Sequence, residues 1–318
     1  MKRITEKQIV ELGITSSQCV DWVTESFKLK YESQLPAKMS VHPQGIDFYT
    51  TMPCLLPTLF DTFGVKVVSR IKGRQPALKS EIYLYKASTG ELTAIVESDW
   101  ITAMRTGAVA ALAIKTFQKK DSSTYSFMGL GVTAHATMKC LNEIISDKSK
   151  IQIKLLKYKN QAEKFCDDFS DLNLKMNVVD NVELLIEDSD VVVSAITETT
   201  ELICEDNSVY GEGVLLVPIH TRGFQNCDLF FDKIFADDTD HVKGFKYFSK
   251  FQNFDEISRV LLGESTGREN SKERILSYNI GLGLHDVYYA KKIYNLHFDH
   301  KRDSCKTKHD NSSYRHGL

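Results

Sequence analysis

A strand that runs directly into a glycine-rich turn constrains the fold of this 318-residue chain more than any other segment. Residues 124–128 read Thr-Tyr-Ser-Phe-Met, and residues 129–134 continue as Gly-Leu-Gly-Val-Thr-Ala. Apolar side chains then recur at helical spacing through Ile144. A GxGxxA sequence between a strand and a helix is typical of a Rossmann βαβ unit, in which a helix joins two parallel strands. We therefore predict an α/β domain that contains this unit.

The residues of this loop each have a physical role if the loop binds a dinucleotide. Gly129 permits the tight turn, Gly131 lets the backbone approach a pyrophosphate, and Ala134 permits close packing of the helix on the strand. The amino terminus of the helix adds N–H groups and a positive dipole end. An ordinary tight turn is the alternative interpretation. We predict cofactor contacts from five loop residues, Gly129, Leu130, Gly131, Val132 and Ala134.

The segments after residue 120 alternate between short apolar runs and helical or polar stretches. Strand candidates lie at 124–128, 151–156, 191–195, 214–217 and 233–236. This alternation is the signature of a parallel sheet that is covered by helices on both faces. The fold prediction is a doubly wound Rossmann domain over residues 120–274.

The first third of the chain has a different character. Apolar residues recur at helical spacing between residues 7 and 35, and short β-rich runs separated by Pro and Gly follow between residues 47 and 96. A helical pattern covers 100–119, and residues 275–296 are again apolar at helical spacing, which predicts a closing helix. The tail is polar and too poor in apolar side chains to offset the entropy of ordering it. We predict an α+β domain over 1–119 and 275–302, followed by a mobile tail over 303–318.

Charge and cysteine content exclude several classes of function. The 40 basic and 42 acidic residues give a formal net charge of -2, so no basic excess drives binding to nucleic acid or to an anionic membrane. The seven cysteines form no CxxC pair and no zinc-ligand spacing, so we expect reduced thiols and no metal. No stretch approaches the roughly 18 apolar residues of a membrane span, and the first residues lack the apolar core of a signal peptide. We therefore expect a cytoplasmic protein with a small-molecule partner.

The end of the second predicted strand bears on which dinucleotide binds. In Rossmann domains an acidic residue there binds the ribose 2′-hydroxyl of NADH, and a basic one accommodates the 2′-phosphate of NADPH. Here the segment reads Lys157-Tyr158-Lys159-Asn160, without a carboxylate. NADPH is thus favoured over NADH, with ribose-side contacts from Tyr158, Lys159 and Asn160. The alternative is that both lysines are solvated surface residues.

One helical segment, together with the motif that follows it, carries a resemblance to a known family. Residues 97–108 read Glu-Ser-Asp-Trp-Ile-Thr-Ala-Met-Arg-Thr-Gly-Ala, and the GxGxxA strand comes next. With this order the chain resembles the ornithine cyclodeaminase/μ-crystallin family over nearly all of its length except the tail. Supporting positions are Met52-Pro53, Gly64-Val65-Lys66, Gly263, Gly267-Arg268, Gly281 and Asp286.

The resemblance implies an architecture and a range of activities. An amino-terminal domain for dimerisation and substrate binding, completed by the carboxy-terminal helix, would be joined to the Rossmann domain. Members of the family include ornithine cyclodeaminase, alanine dehydrogenase and NAD(P)H-dependent reductases of cyclic ketimines. We expect a homodimer from the resemblance, and also because a β-rich first domain needs a partner to cover its sheet.

Several site residues follow from the resemblance and from residue chemistry. Lys66 lies in an apolar strand, where its charge is costly unless it is paired or meets a ligand; by resemblance it is the active-site lysine that transfers a proton. A structural salt bridge is the alternative. Arg105 has the planar guanidinium that grips a substrate carboxylate, although an arginine on such a helix is more often solvated. Lys38 aligns with a family arginine that contacts the same carboxylate, and Thr106 falls on the cofactor side of the motif.

The segment after the strand at 214–217 decides the reaction class. His220 is predicted to contact substrate and Thr221 to take part in catalysis, because ligands of doubly wound folds collect at the carboxyl ends of strands. Ornithine cyclodeaminases carry an aspartate near the position of Thr221, whereas the ketimine reductases carry a hydroxyl residue. The leading hypothesis is therefore an NAD(P)H-dependent reductase of a small cyclic imino acid, such as pyrroline-2-carboxylate. The alternatives are an ornithine cyclodeaminase, a linear amino-acid dehydrogenase of the alanine type, and a nucleotide-binding protein without catalysis.

Overall fold

The computed structural model describes residues 2–197 and 199–310, with side chains described through residue 298. The strands are β1 (Lys2–Ile4), β2 (Met39–Val41), β3 (Phe48–Leu55), β4 (Thr62–Arg70), β5 (Leu78–Lys86), β6 (Leu92–Glu97), β7 (Thr124–Met128), β8 (Gln152–Leu156), β9 (Lys175–Val179), β10 (Val191–Ser194), β11 (Leu215–Pro218), β12 (Lys233–Ala236), β13 (Asp255–Glu256) and β14 (Ile275–Tyr278). The helices are α1 (Glu6–Glu11), α2 (Ser16–Lys28), α3 (Asp99–Phe117), α4 (Val132–Ile144), α5 (Gln161–Asp168), α6 (Val182–Ile186), α7 (Thr239–Val242), α8 (Ile257–Leu261) and α9 (Gly283–Asp310).

The chain divides into two compact units. Unit 1 comprises Met1–Thr15, Leu29–Thr102 and the segment from Gly283 onward, whereas unit 2 comprises Ser16–Lys28 and Ala103–Leu282. The sequence had suggested boundaries near residues 119 and 275. The boundary at Ala103 has a packing reason, because a Cβ at Gly107 would lie 2.5 Å from the backbone nitrogen of Thr137, so α3 packs tightly on α4.

Unit 1 is built on a six-stranded mixed sheet of order β1-β6-β5-β4-β3-β2. The strand β1 pairs parallel to β6, and the other neighbours are antiparallel, as the β-rich runs between residues 47 and 96 predict. Helix α9 packs against β3, β4 and β5. Glycine allows this close approach, since a Cβ at Gly64 would lie 2.7 Å from Cγ1 of Val287.

Unit 2 contains an eight-stranded parallel sheet of order β13-β12-β14-β11-β10-β7-β8-β9. The chain starts at β7, winds outward through β8 to β9, and then returns to add β10 and β11 on the other side of β7. The order thus reverses between β7 and β10, which is the switch point where doubly wound folds bind ligands. The predicted α/β architecture with a Rossmann sheet is confirmed.

The predicted closing helix was wrong at its start. Residues 275–278 form β14, which pairs with β11 and β12, and α9 begins only at Gly283. All four residues of β14 are buried, and a short apolar run of this kind has no periodicity that separates a strand from a helix. Gly281, in the segment between the two elements, has a φ of +98°, a backbone conformation that favours glycine.

Two further points concern the extent of the chain. Of the tail that the sequence predicts to be mobile, residues 311–318 lie outside the described residues. Among the helices that are described, none is both long and apolar enough to cross a membrane.

Candidate functional site

The loop after β7 has the geometry that a dinucleotide requires. Gly129 has a φ of +75°, and a Cβ there would lie 2.5 Å from the carbonyl carbon of Ala195 and from the nitrogen of Ile196, so only glycine fits. Gly131 differs, because a Cβ at this position would meet nothing within 4 Å. The first glycine therefore serves the fold, and the second keeps open space beside the backbone.

The amino terminus of α4 adjoins this open space. Gly131 is the N-cap residue and provides no side-chain hydrogen bond to the first turn, and Val132 is 73% exposed. Leu130 and Ala134 are buried and anchor the loop and the helix to the core. Unsatisfied N–H groups at a helix amino terminus bind phosphate oxygens. The predicted contacts of Gly129, Leu130, Gly131, Val132 and Ala134 with a pyrophosphate stay a prediction, with which the open amino terminus of α4 is compatible.

The ribose-side segment follows β8 as predicted. Tyr158 is exposed, Asn160 is the N-cap residue of α5, and Lys159 has a φ of +52° with its Nζ 5.2 Å from the centroid of the Tyr158 ring. Lys157 is directed elsewhere, with its Nζ 3.5 Å from Oδ1 of Asp180 after β9. That ion pair is solvent-exposed, so it is weak.

Arg105 and Thr106 lie on α3 within unit 2. Arg105 is 6% exposed, and its guanidinium lies so close to Gly281 that any side chain at Gly281 would overlap it. The N–H of Gly281 donates to Oδ2 of Asp237, a fully buried carboxylate whose Oδ1 is 3.1 Å from Nδ1 of His241. Arg105 is thus seated against a backbone segment that a buried carboxylate fixes.

The lysine singled out in the sequence lies in unit 1. Lys66 projects from β4 toward α9 and is 1% exposed, and its Nζ donates to Oδ1 of Asp286 at 2.9 Å. Asp286 is fully buried. The structural salt bridge that the sequence left open is therefore present, and it joins residues 220 positions apart. Sequence reasoning missed Asp286 as the partner, although a lone acidic residue in an apolar helix was a usable signal.

Lys38 is exposed and immediately precedes β2. Met39, the next residue, pairs with Thr51 in the antiparallel β2–β3 ladder. Lys66 lies on β4, the strand on the other side of β3. Lys38 and Lys66 thus belong to the same sheet of unit 1.

The segment after β11 brings His220 to a neighbouring strand. Nε2 of His220 is 2.6 Å from Oγ of Ser194, the last residue of β10, and its ring stacks on Phe224 at 5.9 Å. Burial lowers the pKa of His220, which favours a neutral imidazole. Thr221 and Arg222 follow it and are exposed. Sequence reasoning missed Ser194, because its contact depends on the pairing of β10 with β11.

The first carboxylate that follows this segment is Asp228, and it lies in the core of unit 2. Asp228 is fully buried and accepts a hydrogen bond of 2.7 Å from the hydroxyl of Tyr278. Burial raises the pKa of Asp228 to about 7. At neutral pH this carboxyl is therefore far more protonated than an ordinary aspartate.

Comparison with known proteins agrees with these features. The sequence model of the ornithine cyclodeaminase/mu-crystallin family matches residues 1–301. The nodulation efficiency protein NfeD of Rhizobium meliloti is 23% identical over 272 residues, which are 82% of this chain and 83% of that protein.

Two solved structures share the fold. Δ1-Pyrroline-2-carboxylate reductase of Thermococcus litoralis, in complex with NADH and L-proline, superposes with a TM-score of 0.84 at 22% identity and covers 95% of this chain and 98% of its own. An archaeal alanine dehydrogenase dimer with bound NAD gives a TM-score of 0.82 at 22% identity, covering 95% of this chain and 97% of its own. Both structures are nicotinamide-dependent oxidoreductases, as the sequence predicts for relatives of this chain.

Proposed function

The chain belongs to the ornithine cyclodeaminase/mu-crystallin family, and from this premise we propose that it is an NAD(P)H-dependent reductase of a small cyclic imino acid. The substrate would be a five- or six-membered ketimine carboxylate such as Δ1-pyrroline-2-carboxylate, and the product the cyclic amino acid. The Thermococcus litoralis reductase with NADH and L-proline supports this choice.

The observation that carries the proposal is the lack of a carboxylate after β11. Residues 219–227 contain no acidic residue, and Asp228 is buried against Tyr278. By resemblance, a cyclodeaminase uses an aspartate near Thr221 to handle the proton of the substrate amine. A reductase needs no such base, because its imino substrate accepts a hydride and a proton. The exposed hydroxyl of Thr221 can hydrogen-bond the substrate without removing a proton from it.

Arg105 is the proposed ligand of the substrate carboxylate. A guanidinium binds a carboxylate through two parallel hydrogen bonds, which orients the ring as well as holding it. Seating against Gly281 restricts the side chain before substrate arrives, so less entropy is lost on binding. Lys38 would add a second positive charge, and His220 would contact the substrate as a neutral hydrogen-bonding group.

Lys66 is the proposed proton source. A bound reduced nicotinamide would supply the hydride for the imine carbon. The ammonium of Lys66, held charged by Asp286, then donates or relays the proton that the imine nitrogen takes up. Burial around the pair excludes water and strengthens the interaction of the ammonium with negative charge on the substrate.

The dinucleotide would lie on the loop from Gly129 to Ala134, with Tyr158, Lys159 and Asn160 toward the ribose and Thr106 on the cofactor side. NADPH remains the favoured form, because the end of β8 has no carboxylate for a 2′-hydroxyl and Lys159 is exposed. Lys157 contributes less, since Asp180 partly neutralises it.

A homodimer through the sheet of unit 1 is also proposed. Helix α9 packs on one face of that sheet, and the other face presents a row of half-exposed apolar side chains across four strands, Pro53, Val65, Tyr83 and Ile95. Exposed apolar surface of this kind marks a protein interface. The dimeric archaeal alanine dehydrogenase supports a second copy of the chain as the partner.

Two assays on the purified protein test the reaction. With Δ1-pyrroline-2-carboxylate, NADPH absorbance should fall and proline should accumulate in equal amount. With ornithine and NAD, no ammonia should be released. Ammonia release without net change in nucleotide would instead identify a cyclodeaminase, and nucleotide binding without turnover of either substrate would favour a linear amino-acid dehydrogenase or a binding protein.

The two glycines provide a matched test of the cofactor site. Gly131→Ala should leave the melting temperature unchanged but weaken NADPH binding about tenfold or more, because its methyl occupies the open space. Gly129→Ala should lower the melting temperature itself, because its Cβ meets the backbone at Ala195. Unchanged NADPH affinity in Gly131→Ala would argue against this loop as the phosphate site.

A further inference from the structure

A histidine in the first turn of α4 connects the dinucleotide loop to α5. Nδ1 of His135 is 2.9 Å from the carbonyl oxygen of Gly131, and Nε2 is 3.0 Å from Oδ2 of Asp168 at the end of α5. The rings of Phe165 and Phe169 hold the imidazole, with centroid distances of 4.7 and 5.4 Å. The side chain is thus fixed in the orientation that makes both contacts.

Both partners of this imidazole can only accept hydrogen bonds. A carbonyl oxygen has no proton to give, and an exposed aspartate carboxylate has none either. A neutral imidazole has one N–H and can satisfy one of the two partners, whereas an imidazolium has two and satisfies both. The complete arrangement from Gly131 through His135 to Asp168 therefore requires a bound proton.

The carbonyl of Gly131 matters because of the N–H on the same peptide unit. The backbone N–H of His135 already donates to this carbonyl at 3.1 Å, so the imidazole is a second donor to the same oxygen. In a planar trans peptide the C=O and the N–H point in opposite directions, so a second donor that holds the carbonyl of Gly131 also helps to fix the N–H of Val132. That N–H lies at the start of α4, beside the open space where the pyrophosphate would bind. A hydrogen bond to the carbonyl also polarises the peptide and strengthens the N–H as a donor.

Other charged groups near His135 are exposed and therefore screened. Their interactions with the imidazole pass through solvent, unlike the direct contact with Asp168. The exposed charged residues on α4, on α5 and the turn after it, and on α2 and α3, which also pack on α4, are Lys139, Glu143, Glu163, Lys164, Asp167, Asp171, Asp21, Glu25, Lys28 and Lys115. Arg105 on α3 is buried against Gly281.

We propose that His135 is a positioning residue for the dinucleotide and that its imidazolium form prepares the loop for the pyrophosphate. Protonation completes the link between Gly131 and Asp168, fixes the N–H of Val132 toward the phosphates, and adds a positive charge at the helix amino terminus. Nucleotide affinity is then coupled to proton uptake. This inference depends on the proposed function only in taking the Gly129–Ala134 loop as the dinucleotide site.

The test is a titration of the full chain with NADH, followed by nucleotide fluorescence, between about pH 5.5 and pH 8.5, where imidazole groups lose their proton. NADH is the probe because its pyrophosphate keeps a constant charge over this range. The dissociation constant of the wild-type protein should rise by about three- to fivefold with increasing pH, the size expected for one charge at a helix terminus.

Two variants distinguish an effect of His135 protonation on NADH affinity from an effect on folding. In Asp168→Asn the amide donates to Nε2 of a neutral imidazole, so Nδ1–H can bond Gly131 without an extra proton. This variant should bind NADH at high pH more tightly than the wild type does, and its pH profile should be flatter, because the hydrogen bond to Gly131 no longer depends on the extra proton. His135→Gln should bind at every pH as weakly as the wild type does at high pH. His42→Gln, at an exposed histidine in unit 1, is the control and should keep the wild-type profile.

Each outcome decides a separate point. If the wild-type protein binds NADH with a dissociation constant that does not change with pH, His135 does not have the proposed role. The same follows if the dissociation constant of Asp168→Asn or His135→Gln depends on pH as that of the wild type does. Both outcomes leave the proposed reductase activity standing. No NADH binding at any pH would overturn both the role of His135 and the proposed reductase activity. Thermal unfolding of the variants at each pH shows whether the compared proteins are folded. Because Asp168 is exposed, we expect Asp168→Asn to leave the fold intact.

Discussion

Each unit has a completely buried carboxylate, and the hydrogen-bond partners of these two carboxylates differ. In unit 1, Asp286 accepts from the ammonium of Lys66 at 2.9 Å. In unit 2, Asp228 accepts from the hydroxyl of Tyr278 at 2.7 Å. A cation favours the ionised form of a carboxylate, whereas a neutral donor in a dry core does little to oppose protonation.

This difference matches the roles that we propose for the two carboxylates. The pair of Lys66 and Asp286 belongs to the proposed proton source, and burying two charged groups is expensive, which favours a functional role. Burial raises the pKa of Asp228 to about 7, so this carboxyl keeps its proton well above the usual range of an aspartate and acts as a polar member of the core. Burial of a carboxylate alone therefore does not identify a catalytic site, and its partner must be known.

The largest effect on turnover and stability is expected when the ammonium of the Lys66–Asp286 pair is removed. Lys66→Met should lower turnover of Δ1-pyrroline-2-carboxylate by about 10²- to 10⁴-fold, the usual contribution of a positioned proton donor. It should also lower the free energy of unfolding by about 3–5 kcal/mol, because Asp286 is left buried without its cation. Urea unfolding and steady-state kinetics measure the two effects separately.

A double variant tells the structural cost from the chemical one. Lys66→Met combined with Asp286→Leu removes both charges, so most of the lost stability should return while turnover stays low. Recovery of turnover in the double variant would show that Lys66 has no role in proton transfer.

The next effect concerns the pH dependence of stability that Asp228 contributes. The unfolded carboxyl loses its proton near its ordinary pKa of about 4, whereas burial raises the native pKa to about 7. The native state then binds more protons between these values, so the free energy of unfolding should fall by about 2–4 kcal/mol as pH rises through that window. Asp228→Asn should flatten this slope in urea unfolding and leave turnover near the wild-type level. An unchanged slope would mean that Asp228 is ionised in the native core.

The smallest effect is expected from the hydroxyl of Tyr278. Tyr278→Phe removes the donor to Asp228 and should lower the free energy of unfolding by about 1–2 kcal/mol, the cost of an unsatisfied buried acceptor. The matched control is Tyr158→Phe, at a tyrosine that is 57% exposed, where water already solvates the ring edge and replaces the lost hydroxyl. Equal losses in both variants would contradict the view that the Asp228 contact is sealed from water.

Elements defined by local pattern were predictable from the sequence. The strand β7, the glycine loop and α4 follow from adjacent residues, because turn, helix start and close packing each require a particular residue type within ten positions. The helix α3 was predicted for the same reason. The strand β14 was not, since its four buried residues are specified by the neighbours β11 and β12, which come from distant parts of the chain.

The candidate site was predictable only in part, for a related reason. Lys66 drew attention as a charge in an apolar strand, but its partner Asp286 lies 220 positions away and only the packing of α9 on β4 brings the two together. Ser194 and His220 are in contact because β10 pairs with β11 in a particular register. That register cannot be inferred from a single sequence. The family resemblance supplied Arg105 as a candidate ligand of the substrate carboxylate, whereas its burial and its position against Gly281 required the structure.

Hydride transfer to the imino carbon is the central claim, and isotope labelling tests it most directly. The protein is incubated with Δ1-pyrroline-2-carboxylate and NADPH that carries deuterium at C4 of the nicotinamide on the transferred face. The account predicts proline with deuterium at its α-carbon, formed in equal amount to the NADP produced. Proline without the label, or nucleotide that is bound but never oxidised, would contradict it.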